Sequence, residues 1–537
     1  MSNMRSATLM ITLLLSINLL NALNDMPIVA SFQGEHHRSA FGHSMVSLDF
    51  NHDGLDDLAI TSPNYGYVYP GTTDPGTGKC LIYYGVSGFN SNTPASITLE
   101  GTNNGTSGTV VLFVYKIGDI NGDSYDDLCL HIRNNIAWPD DDREQLLFFY
   151  GGTTNLDNPD YVLNLYGSVY TFFRILPLGD VNRDGFGDMG FYYLHSPSYL
   201  NRLSIIWGGS FQEHVVSNGE ASYSYSCSIH GIGDINNDGY DDFTTGFATP
   251  SSDPTHNLIR LYYGNAAGIT DNPITLIYCQ YGVSRGSKPL GDMNADGYDD
   301  FMGYITDEGM HAWLGGTNIN YAVPDFDMDP PWYGGEFQRS LEHGDFNNDG
   351  FEDAVGASFG SGFAVWLGKQ NVNGTSDYIQ YNPGYENYGY SLVTGDFNAD
   401  GYDDIAIAAS HEYDPWPSGN FTGYVWVFGG NAQLEDTTVA SDDQVAPIPE
   451  ASIMCYPQPA SSKVIVSVKS EQAGDLGYSI YNIRGQIVFS GKLNGNNKEQ
   501  IFELPNEAWE RMPSGVYLIS LERGNSTIAT ARLVVAK

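Results

Sequence analysis

The chain has 537 residues, 41% hydrophobic and 13% aromatic, enough material for two or more domains or one large closed architecture. With 23 basic against 64 acidic residues its formal net charge is −41, which excludes the basic footprint that nucleic acid or an anionic membrane surface needs and makes cations the expected partners. Five cysteines, odd in number and without a CxxC, are expected as buried strand residues rather than as a disulfide framework.

Residues 1–22 hold one Arg and then an apolar run from Ala7 to Leu20, the pattern of a secretory signal peptide cleaved near Ala22. The alternative, a membrane anchor, is disfavoured because the run is shorter than the ~20 residues a span needs. No other stretch reads as a spanning helix, so no transmembrane span is expected after cleavage. PIVASFQG (27–34) follows as a strand, and GEHHRSAFGH (34–43) gathers His36, His37, Arg38 and His43 in what reads as a chance cluster.

From there one acidic motif, D-x-N-x-D-G-x-D-D, recurs seven times at steps of 51 to 70 residues. DFNHDGLDD supplies Asp49, Asn51, Asp53 and Asp57; DINGDSYDD supplies Asp119, Asn121, Asp123 and Asp127. DVNRDGFGD contributes Asp180, Asn182, Asp184 and Asp188, and DINNDGYDD contributes Asp234, Asn236, Asp238 and Asp242. DMNADGYDD brings Asp292, Asn294, Asp296 and Asp300, and DFNNDGFED brings Asp345, Asn347, Asp349 and Asp353. DFNADGYDD closes the series with Asp396, Asn398, Asp400 and Asp404. A second series keeps the same count: each motif is followed by an apolar or aromatic run ending in Gly, from LIYYG (81–85) to YVWVFGG (424–430). Period-two alternation after the loops, as at Leu58 and Ile60, means strand. Units of about four strands at this period predict an all-β fold, a seven-bladed propeller over 27–431. The seventh unit lacks a clear fourth strand, and residues 27–34 are expected to supply it.

Each motif offers side-chain oxygens at positions 1, 3, 5 and 9 and a backbone carbonyl at position 7, with a glycine at position 6 for the bend in six of the seven. Hard oxygen donors in this number suit Ca²⁺, giving up to seven structural ions. Two carboxylates ~4 Å apart repel by about 4 kcal/mol at an effective dielectric of 20, and a cation would relieve that. The competing reading is a row of solvated Asx turns. An EF-hand is rejected because position 12, for example Ile60 or Ile407, is never acidic. Ser124 at position 6 marks the second loop as the most strained. Position 8 varies (Gly187 in the third loop, Glu352 in the sixth) and is expected to face solvent or a neighbouring turn.

These motifs resemble the FG-GAP repeats of integrin α-subunit propellers and their bacterial relatives. Phe41-Gly42 and Tyr388-Gly389 stand for the FG element, and Thr61-Ser62-Pro63, Ala248-Thr249-Pro250 and Ala357-Ser358 for the GAP-like segment. Val283-Ser284 and Phe337-Gln338 depart from it. The resemblance implies calcium in outer blade loops and an extracellular adhesion or ligand-binding role.

Residues 432–452, rich in Asp, Pro and Ala, read as a linker. Beyond it the charge balance changes: residues 451–537 carry 9 basic and 7 acidic side chains. Within YPQPASSKVIVSV (456–468), YSIYNIRGQIVFSG (478–491), MPSGVYLISLERG (512–524) and RLVVAK (532–537), the alternating VIVSV and VYLISL read as sandwich strands, with Asn482 and Gly485 at turns. These segments resemble a type IX secretion C-terminal sorting domain, a small β-sandwich over 453–537. That resemblance implies the type IX secretion machinery as a partner and a secreted or outer-surface location in a Bacteroidetes-type bacterium.

The expected function is a non-catalytic calcium-binding propeller that adheres to an extracellular glycan or protein. Trp138, Trp332, Tyr333, Tyr385, Tyr388 and Trp416 are candidates for stacking on sugars, although each is individually better explained by core packing. The alternative is a propeller-based polysaccharide lyase or hydrolase. It needs a convergent acid/base set, and the sequence holds no GxSxG, HExxH or P-loop; DDDRE (140–144) reads as a solvated loop. A purely structural surface component is a third reading. No catalytic residue and no organic cofactor is assigned.

Overall fold

The computed structural model describes residues 26–434 and 451–537 less several internal segments, the longest being 64–76, 135–143, 249–257, 329–339 and 411–421. Backbone packing divides the chain into two compact units, one spanning Met26–Gln380 and Glu386–Thr437, the other built on Thr438–Lys537.

The first unit is a seven-bladed β-propeller. Among the described residues it contains seven four-stranded antiparallel sheets. The first blade runs Met45–Leu48, Asp57–Ser62, Lys79–Tyr83 and Ile97–Glu100, from innermost to outermost strand. Five further blades repeat that order, and the inner strand of each packs against the inner strand of the next. The seventh combines Tyr388–Gly395, Asp404–Ala409 and Tyr424–Phe428 with Ile28–Gln33 from the start of the unit. Ser31 pairs with Trp426 and Phe32 with Val425, so the expected fourth strand is in place. This join ties the start of the unit to its last blade and closes the ring of blades.

The cores lie between blades. Leu58 and Ile60 pack with Ala406, Ala408 and Val425 of the seventh blade, whereas Ala59, between them in sequence, packs with Leu128 and Leu130 of the second. Alternation here sorts side chains between two neighbours rather than between core and water. The second strands Asp57–Ser62, Asp353–Ser358 and Asp404–Ala409 are therefore buried at every residue. Cys80 and Cys129 are buried free thiols of this kind, and burial pushes the Cys80 thiol up to about 12.

The second unit has two sheets, one of three strands and one of four. They share a single core in which Val464, Val466 and Val468 meet Tyr478, Ile480, Ile519 and Leu521. The short helix Asn506–Glu510 adds Ala508 to it. The result is a small β-sandwich. Among the described residues no helix is long and apolar enough to cross a membrane.

Of the candidate stacking aromatics, Trp138, Trp332, Tyr333 and Trp416 lie outside the described residues, as do His36, His37 and Arg38. Tyr388 is a correction: it is fully buried against Trp426 and cannot present a face to a ligand. His43 is likewise buried, stacked on Tyr390 and beside Phe113. The signal-peptide segment also falls outside the described residues, as does most of the linker.

Candidate metal centres

Each acidic motif forms the turn between the innermost and second strands of a blade. Its apolar second residue anchors it: Phe50, Ile120, Val181, Ile235, Met293, Phe346 and Phe397 are all fully buried. From that anchor the turn is wound by its own side chains. The position 1 carboxylate accepts hydrogen bonds from the amides of positions 5 and 6, as Asp345 does from Asp349 (3.1 Å) and Gly350 (2.9 Å). The position 5 carboxylate accepts from the amide of position 7, as Asp349 does from Phe351 (3.0 Å). Both patterns hold in all seven loops. The Asx turns of the competing reading are thus present, and they pre-set the spacing of the donors.

Two residues per loop adopt the left-handed conformation, at positions 4 and 6. Position 4 is non-glycine in six loops: His52, Arg183, Asn237, Ala295, Asn348 and Ala399. The second loop inverts the arrangement, with Gly122 at position 4 and Ser124 (φ 74°) at position 6. The strain read from Ser124 is present there, but Gly122 relieves the strain that the other loops carry at position 4.

Position 9 is fully buried in every loop. One of its oxygens accepts the amide hydrogen of the glycine that ends the third strand, as Gly368 donates to Asp353 at 2.7 Å and Gly85 to Asp57 at 2.8 Å. The other accepts from position 2 in five loops, for example Phe346 to Asp353 at 3.0 Å. The two sevenfold series of the sequence, acidic motif and terminal glycine, therefore meet at this one carboxylate. Burial raises it first, to about 7 at Asp57 and Asp300 and about 8 at Asp353 and Asp404. The position 1 and 5 carboxylates of the same loop contribute to that rise, and the bonded backbone amides oppose it. Each turn therefore carries an exposed carboxyl at position 5, a half-buried one at position 1 and a buried one at position 9.

This donor set, three carboxylates with an amide oxygen and a carbonyl, fits calcium in type and order. Every donor carboxylate is also hydrogen-bonded to a backbone amide. Among the described residues no three acidic, His or Cys side chains converge as a finished coordination sphere. The seventh loop differs. Asn398 is buried and donates its amide to both oxygens of Asp404 (3.0 and 3.1 Å), whereas Asn51, Asn121 and Asn347 donate to the position 5 carboxylate.

Position 8 was expected to face solvent or a neighbouring turn; in five loops it faces the neighbouring turn, and what the sequence does not show is the bond it makes there: Asp126 accepts from the Asp49 amide (3.1 Å), Asp299 from Asp234 (2.9 Å) and Asp403 from Asp345 (2.8 Å). Asp56 accepts from Asp396 (3.1 Å), across the join of the first and seventh blades. The repeated Asp-Asp pair was the available signal, but its partner is a backbone group that no motif displays.

Comparison with known families places residues 41–79 and 388–428 in the FG-GAP repeat, 345–407 in an FG-GAP-like repeat and 454–536 in the secretion system C-terminal sorting domain. Integrin alpha-8 of Gallus gallus is 27% identical over 150 residues, 28% of this chain and 14% of the integrin. Integrin alpha-6 of Homo sapiens is 29% identical over 159 residues, 29% of this chain and 13% of the integrin. The matched region thus spans about a seventh of those relatives. Among solved structures, "Crystal structure of BBS1N in complex with ARL6DN, soaked with mercury" aligns with 76% of this chain and 99% of its own at a TM-score of 0.39 and 10% identity.

Proposed function

For a chain that carries FG-GAP repeats and ends in a secretion-system sorting domain, we propose a non-catalytic binding module on or outside the cell surface. The domain limits are those read from the sequence, with a cleaved signal peptide (1–22), propeller (27–431), linker (432–452) and sorting domain (453–537). The propeller holds up to seven Ca²⁺ ions through the side chains of positions 1, 3, 5 and 9 and the carbonyl of position 7. One observation carries this reading. The carboxylates of positions 1, 5 and 9 spend their hydrogen bonds on the propeller's own backbone, which makes the acidic turns scaffold rather than reactive groups. The ions are then structural, and the ligand, an extracellular glycan or protein, is met by other loops.

Retention on arrays of extracellular glycans and matrix proteins tests the role. Ligand capture that is lost on calcium removal is expected; release of unsaturated or reducing-end products from a polysaccharide would instead establish a lyase or hydrolase. Export is tested separately. Deleting residues 453–537 is expected to leave the protein in the periplasm of a type IX-competent host, and normal surface delivery would refute the sorting role.

A further inference from the structure

We propose that the position 8 carboxylates are positioning residues that couple neighbouring cation loops, and that the ring is divided by sequence into two coupled runs. The proposal rests on the calcium reading above and adds to it which loops act together.

The tie between the third and fourth loops shows the device. Asp241, next to the buried Asp242, accepts the amide hydrogen of Asp180 at 2.6 Å. Asp180 is the position 1 donor of the preceding loop, and fixing its amide fixes the backbone from which its carboxylate is aimed. Space for the tie is built into the chain. Gly179, at φ +80°, lies directly before Asp180, and a Cβ added there would run into the Asp241 carboxylate. Gly233 stands in the same relation to Asp299. Where the neighbouring loop has no position 8 side chain, the space is open: beyond Gly118 nothing lies within 4 Å of an added Cβ, because that neighbour carries Gly187.

Two seams thus lack the tie. At the second–third seam Gly187 offers only its backbone amide to the Asp119 carbonyl (2.6 Å). At the fifth–sixth seam Glu352 likewise gives its backbone amide to the Asp292 carbonyl (3.2 Å), but its carboxylate, one methylene longer, turns to His343 Nδ1 at 2.8 Å. The remaining five ties link loops three, four and five into one run. They link loops six, seven, one and two into another, through Asp403, Asp56 and Asp126. An ion that orders one loop of a run orders the first donor of its neighbour, and by linkage the coupling is reciprocal.

Amide hydrogen exchange of the full chain, followed by mass spectrometry across a calcium titration, reads each loop separately. In the wild type, protection of residues 180–188, 234–242 and 292–300 is expected to rise with one shared midpoint, and that of the other four loops with another. Asp241→Ala should raise the calcium midpoint of residues 180–188 by about fivefold or more. Asp241→Asn, which keeps an acceptor oxygen, should restore most of it. Gly187→Asp fills the open space beside Gly118 and should lower the midpoint of residues 119–127. A midpoint at 180–188 indifferent to Asp241→Ala, or a shift confined to the altered loop, overturns the coupling while leaving calcium binding standing. A wild type in which no loop gains protection from calcium overturns the cation reading and the coupling with it.

Discussion

Stripping calcium from the full-length chain is expected to lower the melting temperature of the propeller by about 10 °C. An ion at a hundred times its dissociation constant stabilises the folded state by about 2.7 kcal/mol, so three or four occupied loops contribute about 8–11 kcal/mol. Extending the usual size scaling to a unit this large, one kcal/mol moves the midpoint by about 1–2 °C. The effect has a definite pH dependence. In the stripped protein the position 9 carboxyls titrate at about 7 to about 8, far above the ordinary carboxylate range, because burial and then the facing carboxylates penalise their charge. Between about pH 4 and pH 8 the folded chain therefore binds more protons than the unfolded one, and stability falls as pH rises through that window. Calcium favours the charged forms and removes this loss. The gap between calcium-loaded and calcium-stripped melting temperatures should widen from pH 5 to pH 8, measured after dialysis against a chelating resin. An equal gap at both pH values, or none at either, would falsify the placement of ions beside these carboxylates.

The second large effect separates the two kinds of aspartate within one loop. Asp349 is exposed and winds the turn; Asp353 is buried and holds the amides of Phe346 and Gly368 together. Asp349→Ala should remove the stabilisation due to its ion and little else. Asp353→Ala removes the same ion and also strands two buried donors, each costing about 1–3 kcal/mol, so its loss in calcium should be about double. In stripped protein at pH 6, below the raised range of the Asp353 carboxyl, Asp349→Ala should be near neutral while Asp353→Ala still destabilises by about 3 kcal/mol or more. Equal melting temperatures for the two variants under both conditions would show that position 9 is only a ligand and not a bracket.

Much of this architecture is legible without coordinates, for a physical reason. The turn is wound by bonds between residues two to five apart, such as Asp349 to Phe351 and Asp345 to Gly350, so its donors are written as a contiguous motif. Seven copies of that motif and of the glycine-ended strand give the blade count, and the strand-like segment at 27–34 suffices to anticipate ring closure. The alternation at Leu58 and Ile60 correctly means strand. That the other face also packs against a blade needs the ring, because nothing in a period of two distinguishes water from a second neighbour.

Other features needed the packing. For Tyr388 the sequence already favoured core over a ligand-stacking face, and the packing of Trp426 against it decides the matter. Position 9 reads as one more oxygen donor until Gly368 and its six equivalents are seen to converge on it. The sequence by itself determined the local chemistry and the number of units, since both depend on residues close in the chain. Tertiary structure decided which carboxylate meets which backbone amide between blades. Those partners lie 58 to 77 residues apart along the ring, and 340 apart where Asp56 meets Asp396, so closing the propeller is what creates the bond.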